Sequence, residues 1–122
     1  MIHCLWACLS LLIPPQQISN VHDGDTFSLY AVGIPQEEHI RVLGVDTPEL
    51  RDSLSKPARE AREFTRTWLA KGSFSLETCR RDSFGRYLAI VSRGSDTLAT
   101  SLINAAPLLP ARLEVIVSLF TP

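Results

Sequence analysis

The chain has no basic surplus. Its 122 residues carry 12 Lys plus Arg against 13 Asp plus Glu, for a formal net charge of −1. That excludes a histone-like protein that binds nucleic acid through bulk positive charge, but not one that uses a local cluster of arginines. Lysine is nearly absent: 10 of the 12 basic residues are Arg, whose planar fork matches phosphate oxygens. The first 22 residues hold no charged side chain. The apolar run CLWACLSLLI over residues 4–13 is too short to span a bilayer as a helix, so no stable membrane span is expected. No C-x-x-C pair is present, and the three His and three Cys have no spacing that suits zinc. What remains is 45% hydrophobic and 20% charged, enough for one globular domain and hardly more.

The length of the apolar run suits the core of a secretory signal. Residues 1–17 are therefore read as an apolar leader, ahead of the alternative of a buried strand or short helix. On that reading the protein is secreted or in the cell envelope, and cytoplasmic if the leader is not a signal. Cys4 and Cys8 would leave with it, and Cys79 would stand alone as a small strand residue.

Asp23-Gly24 between β-prone runs over 17–21 and 26–32 reads as a hairpin, with Gly24 accepting positive φ. A third strand is predicted over 39–45, with Arg41, Leu43 and Val45 on one face. Residues 55–71 form the clearest helix: Ser55 as N-cap, Pro57 in the first turn, and Ala61, Phe64, Thr65, Trp68 and Leu69 as one apolar stripe. Its charged residues read as a solvated face. Strands over 74–79 and 87–92 flank a polar turn, and Asp96 can cap a short helix over 97–105. The order β-β-β-α-β-β-α points to an α+β domain, mainly β, built on a five-stranded antiparallel barrel of the OB type.

Four segments carry the polar chemistry: His22-Asp23-Gly24-Asp25-Thr26, Ile40-Arg41-Val42-Leu43-Gly44, Val45-Asp46-Thr47-Pro48-Glu49 and Asp82-Ser83-Phe84-Gly85-Arg86-Tyr87. Each alone reads as a turn, a strand stop or an ion pair. Together they place three carboxylates (Asp25, Asp46, Glu49) and two arginines (Arg41, Arg86) at strand ends and tight turns. Carboxylates with backbone oxygens suit a hard cation such as Ca²⁺ or Mg²⁺. Guanidinium groups can neutralise the charge that accumulates on a phosphodiester during hydrolysis, and a carboxylate can orient or deprotonate the attacking water.

These segments, in this order and with the helix KPAREAREF over 56–64, resemble the staphylococcal nuclease, or thermonuclease, family from about Ile18 to Ala106. The resemblance implies a staphylococcal-nuclease-like OB barrel. It implies Asp25, Asp46 and the Thr47 carbonyl as ligands of a catalytic Ca²⁺, Glu49 as the residue acting on the attacking water, Arg41 and Arg86 as the phosphate-binding guanidinium groups, and Asp23 as a supporting carboxylate of the hairpin turn. It further implies an endonuclease acting on DNA and RNA with little sequence preference and leaving 3′-phosphate ends, expected to act as a monomer. The tail over 107–122 departs from the family: Asn104-Ala105-Ala106 runs into Pro107, no Tyr or Trp follows, and no basic third helix is visible. The nuclease-like domain is accordingly placed at 18–106. The altered tail keeps a second reading open, a non-catalytic OB module or an inactive truncated homologue that binds nucleic acid without cleaving it.

Overall fold

The computed structural model describes residues 8–31, 35–48, 56–105 and 112–113. The chain begins with β1 (Leu9–Ile13), a short 3₁₀ turn (Pro15–Gln17), β2 (Ile18–Asp23), β3 (Thr26–Leu29), β4 (Glu38–Val42) and β5 (Val45–Asp46). It continues through α1 (Lys56–Ala70), β6 (Phe74–Arg81), β7 (Tyr87–Arg93), β8 (Asp96–Thr97), α2 (Leu98–Asn104) and β9 (Arg112–Leu113). This is the expected OB-type α+β architecture. The main sheet pairs in the order β1-β6-β7-β4-β3-β2, with β8 on β7.

Two features of the sheet differ from a closed antiparallel barrel. First, β4 and β7 run parallel, because α1 and β6 intervene and return the chain to the sheet in the same direction. Second, the pairing path does not close. Its end strands β1 and β2 are successive in the chain and joined only across Pro14–Gln17, where Pro15 has no N–H to continue a ladder. The strand predicted over 39–45 also breaks in two, at Gly44, whose φ of 95° only glycine adopts readily.

The core lies between the concave sheet and the two helices. Phe27, Val42, Leu69, Phe74, Val91, Leu98 and Leu102 are all buried, and Phe27 meets Phe74 edge to face. α1 buries Ala58, Ala61, Thr65, Trp68 and Leu69, close to the stripe its periodicity indicates, with Phe64 half-buried at its margin. The expected Ser55 cap lies outside the described residues. The cap of α2 is Thr97 rather than Asp96: the Thr97 hydroxyl accepts from the Thr100 N–H at 3.0 Å, while Asp96 is spent in β8.

The N-terminal segment corrects the reading of the cysteines. Leu9–Ile13, within the stretch read as a leader, forms a strand on the edge of β6. The pairing of Leu9 with Thr78 sets Cys8 across from Cys79, and the two form a disulfide with Cα atoms 4.1 Å apart. Cys79 is therefore not alone. Sequence spacing gave no sign of this, because a pairing 71 residues apart depends on strand register. A cross-link of that span restricts the unfolded chain, so reduction should lower unfolding free energy by ~2–4 kcal/mol. Urea unfolding with and without reductant checks it; equal midpoints would contradict the bond.

Candidate active site

The site is built where the β2–β3 turn, the β4–β5 turn and the β6–β7 turn meet. At its centre is Asp25, 4% exposed, which closes the first hairpin. Its backbone carbonyl accepts from the Val42 N–H at 2.8 Å, tying the hairpin to the end of β4. Its carboxylate accepts from the Thr26 hydroxyl and from the Thr47 N–H, each at 3.0 Å. Arg41 Nη2 stands 3.5 Å from Asp25 Oδ2 and 3.6 Å from Asp46 Oδ1. The other arm of Arg41 donates to the carbonyls of Val42 and Val45, so the guanidinium is held by the turn it leads into.

Burial pushes the Asp25 carboxyl above its ordinary range, more strongly than Arg41, the Thr47 N–H and the Thr26 hydroxyl pull it down; the Asp23 charge adds to the rise.

Arg86 reaches the same centre from the β6–β7 turn. Its Nη1 lies 3.5 Å from Thr26 Oγ1, and Thr26 in turn donates to Asp25. Its Nε donates to Asp82 Oδ2 at 2.7 Å, and Asp82 Oδ1 accepts the backbone N–H groups of Phe84 and Arg86. Asp82 is thus the clamp of this turn rather than a solvated residue. Gly85, at φ 86°, lets the chain reverse inside it. Partial burial works to raise the Asp82 carboxyl, but the three donors and the Arg86 charge outweigh it and hold it below the usual range.

The structure therefore brings together Asp23, Asp25, Arg41, Asp46, Thr47 and Arg86. Glu49 lies outside the described residues. Further residues complete the setting. Thr26 joins Arg86 to Asp25, the carboxylate that Arg41 also meets. Gly24 takes no positive φ, contrary to expectation; it is needed for contact instead. A Cβ there would lie 2.9 Å from both Ala61 of α1 and the Thr47 side chain. The Thr65 hydroxyl donates to the Gly24 carbonyl. Thr47 Oγ1, buried in this contact, has no hydrogen-bond partner among the described residues. Beside Arg86, Phe84 is 83% exposed, with the guanidinium carbon 5.6 Å from its ring centre. The Asp-x-x-Gly-Arg spacing marks Asp82 as a turn residue, but its hold on the Arg86 side chain shows only in the structure.

The donor set fits a hard cation. Two carboxylates, one of them buried and destabilised in its charged form, converge on a single nitrogen with the Thr47 backbone beside them. Among the described residues no three His, Cys, Asp or Glu side chains gather to hold a metal by themselves. Nor is any described helix long and apolar enough to cross a membrane.

Two outcomes follow for the scaffold. Gly24→Ala forces Thr47 away from α1 and should cost ~1–3 kcal/mol, whereas Thr47→Val removes an unpaired hydroxyl and should cost less; chemical denaturation ranks them, and the reverse order would contradict the packing. Asp82 has its acidity strengthened on folding, so the stability it contributes is full above its ordinary value of 3.8 and lost as pH falls below that. The stability gap between the unaltered chain and Asp82→Asn should shrink on acidification; a constant gap would contradict the clamp.

Residues 39–106 match the family model described as staphylococcal nuclease homologue. That span includes Arg41, Asp46, Thr47, Glu49 and Arg86. A curated relative, a thermonuclease of Staphylococcus intermedius, is 33% identical over 90 residues, which cover 70% of this chain and 52% of that protein. The chain thus spans about half the length of the curated relative it matches.

Proposed function

This chain belongs to the staphylococcal nuclease family, and from that premise we propose that it is a Ca²⁺-dependent endonuclease. Its substrates on this reading are DNA and RNA, cleaved with little sequence preference to leave 3′-phosphate ends. One observation carries the reading: Arg41 from β4 and Arg86 from the β6–β7 turn approach the same buried carboxylate, Arg41 directly and Arg86 through Thr26. Two guanidinium groups held at one point are suited to a phosphate that gains charge as it is attacked. Their backbone and carboxylate tethers fix both in advance, so little reorganisation is needed when the charge develops.

Asp25, Asp46 and the Thr47 carbonyl are the residues that would hold Ca²⁺, which when bound supplies positive charge beside the phosphate. Glu49 is assigned to orient or deprotonate the attacking water. Asp23 adds negative charge behind Asp25 and strengthens the pull of the site on a cation. Phe84 offers an exposed ring for a base next to the arginine that holds its phosphate. We also place the chain in an oxidising compartment, secreted or in the cell envelope; the Cys8–Cys79 disulfide supports that placement.

The test is digestion of plasmid DNA and of RNA with Ca²⁺ and with chelator. Cleavage should stop in chelator, and Arg41→Ala and Arg86→Ala should each lower kcat by ~10²–10³. Glu49→Gln should also abolish most turnover while substrate still binds. Cleavage indifferent to chelator, or unaffected by Arg41→Ala, would overturn the reading.

A further inference from the structure

A second polar cluster sits beside the arginines and takes no part in the assignments above. On β3, Thr26 and Ser28 project from one face; on β4 their register partners Arg41 and His39 share it. The two rungs are two residues apart along the strands, about 7 Å. On the second rung Ser28 is fully buried beneath two imidazoles. His22 Nε2 lies 2.7 Å from Ser28 Oγ, and His39 Nδ1 lies 2.6 Å from it. The ring centres are 5.8 Å apart. His22 owes its place to a bulge: the β2–β3 register shifts between Val21 and Asp23, and the extra residue leans over Ser28.

A hydroxyl can accept two hydrogen bonds but has one proton to give, and the buried Ser28 hydroxyl places that proton on whichever ring nitrogen lacks its own. Asn20 Nδ2 can only donate, and it lies 3.2 Å from His22 Nδ1. His22 therefore carries its proton on Nε2 and donates it to Ser28 Oγ. Ser28 donates to His39 Nδ1. His39, whose residue is exposed, is left with its proton on Nε2. The adjacent Glu37 carboxylate is held by the Ser19 hydroxyl. The relay thus fixes the His39 ring and leaves an N–H as its remaining polar group.

We propose that His39 is a further phosphate contact, receiving the phosphate one nucleotide away from the one held by Arg41 and Arg86, on a single strand laid along the β3–β4 ladder. The inference rests on the nuclease reading. The rung spacing is comparable with the span of one extended nucleotide unit, and the outward N–H of the imidazole donates to a phosphate oxygen. Ser28 and His22 are positioning residues: they select the tautomer that presents N–H rather than a bare nitrogen, which would repel phosphate.

The experiment compares two probes in chelator, where the strands stay whole: a short single-stranded oligothymidylate and thymidylyl-thymidine, which has a single phosphate. The unaltered chain should prefer the oligomer, and His39→Ala should narrow that preference about tenfold. Nitrogen-15 spectra of the imidazoles supply a readout that packing alone would not move. His39 should show the Nε2–H tautomer, tightened by the oligomer, and Ser28→Ala should let it mix with the other tautomer. An unchanged preference in His39→Ala, or a His39 ring with its proton on Nδ1, overturns the inference while leaving the nuclease reading in place. Failure of the unaltered chain to bind either probe in chelator overturns the inference, and failure to cleave nucleic acid in Ca²⁺ as well overturns both.

Discussion

The site depends on one buried carboxylate. Asp25 is drawn out of water at the closing turn of a hairpin, and a charge in that position is costly unless surrounding groups stabilise it. Three turns supply those groups: Thr26 from the hairpin itself, the Thr47 N–H after β5, and Arg41 from β4. Two of them also have a second attachment. Arg41 is anchored on the carbonyls of its own turn, and Thr26 receives Arg86, which Asp82 clamps. The need to stabilise one charge therefore sets the relative positions of both arginines. Burial still holds the Asp25 carboxyl above its ordinary range. A cation bound beside it would favour the charged form.

The packing around Gly24 serves the same end. The hairpin turn is pressed against α1 so closely that no side chain fits at Gly24, and Thr65 of α1 holds its carbonyl. The helix thus positions the turn directly, besides covering the core. Its apolar stripe and its one buried threonine have separate tasks, core burial and turn anchoring.

Much of this was legible in the sequence because it is local. The α1 stripe follows a 3.6-residue period, and the strand faces of β3 and β4 follow alternation. Asp25, Arg41, Asp46 and Arg86 sit at strand ends and in turns whose glycine, aspartate and proline signals can be read directly. What was missed depends on register or on three-dimensional contact. The Cys8–Cys79 bond follows from β1 pairing with β6, which a run read as a leader gave no reason to expect. The parallel β4–β7 pair follows from the crossover through α1. Gly24 looked like a glycine required by dihedral angle and proved to be one required by space. Thr26 as the link from Arg86 to Asp25, and the Ser28 relay, needed the cross-strand partners to be known.

We propose that Asp25 organises a cation site beside Arg41 and Arg86. Calorimetric titration of the chain with Ca²⁺ is the decisive measurement. Saturable binding is expected, and Asp25→Asn should abolish it although the variant still unfolds cooperatively. Binding of equal strength by folded Asp25→Asn, or none by the unaltered chain, would contradict it.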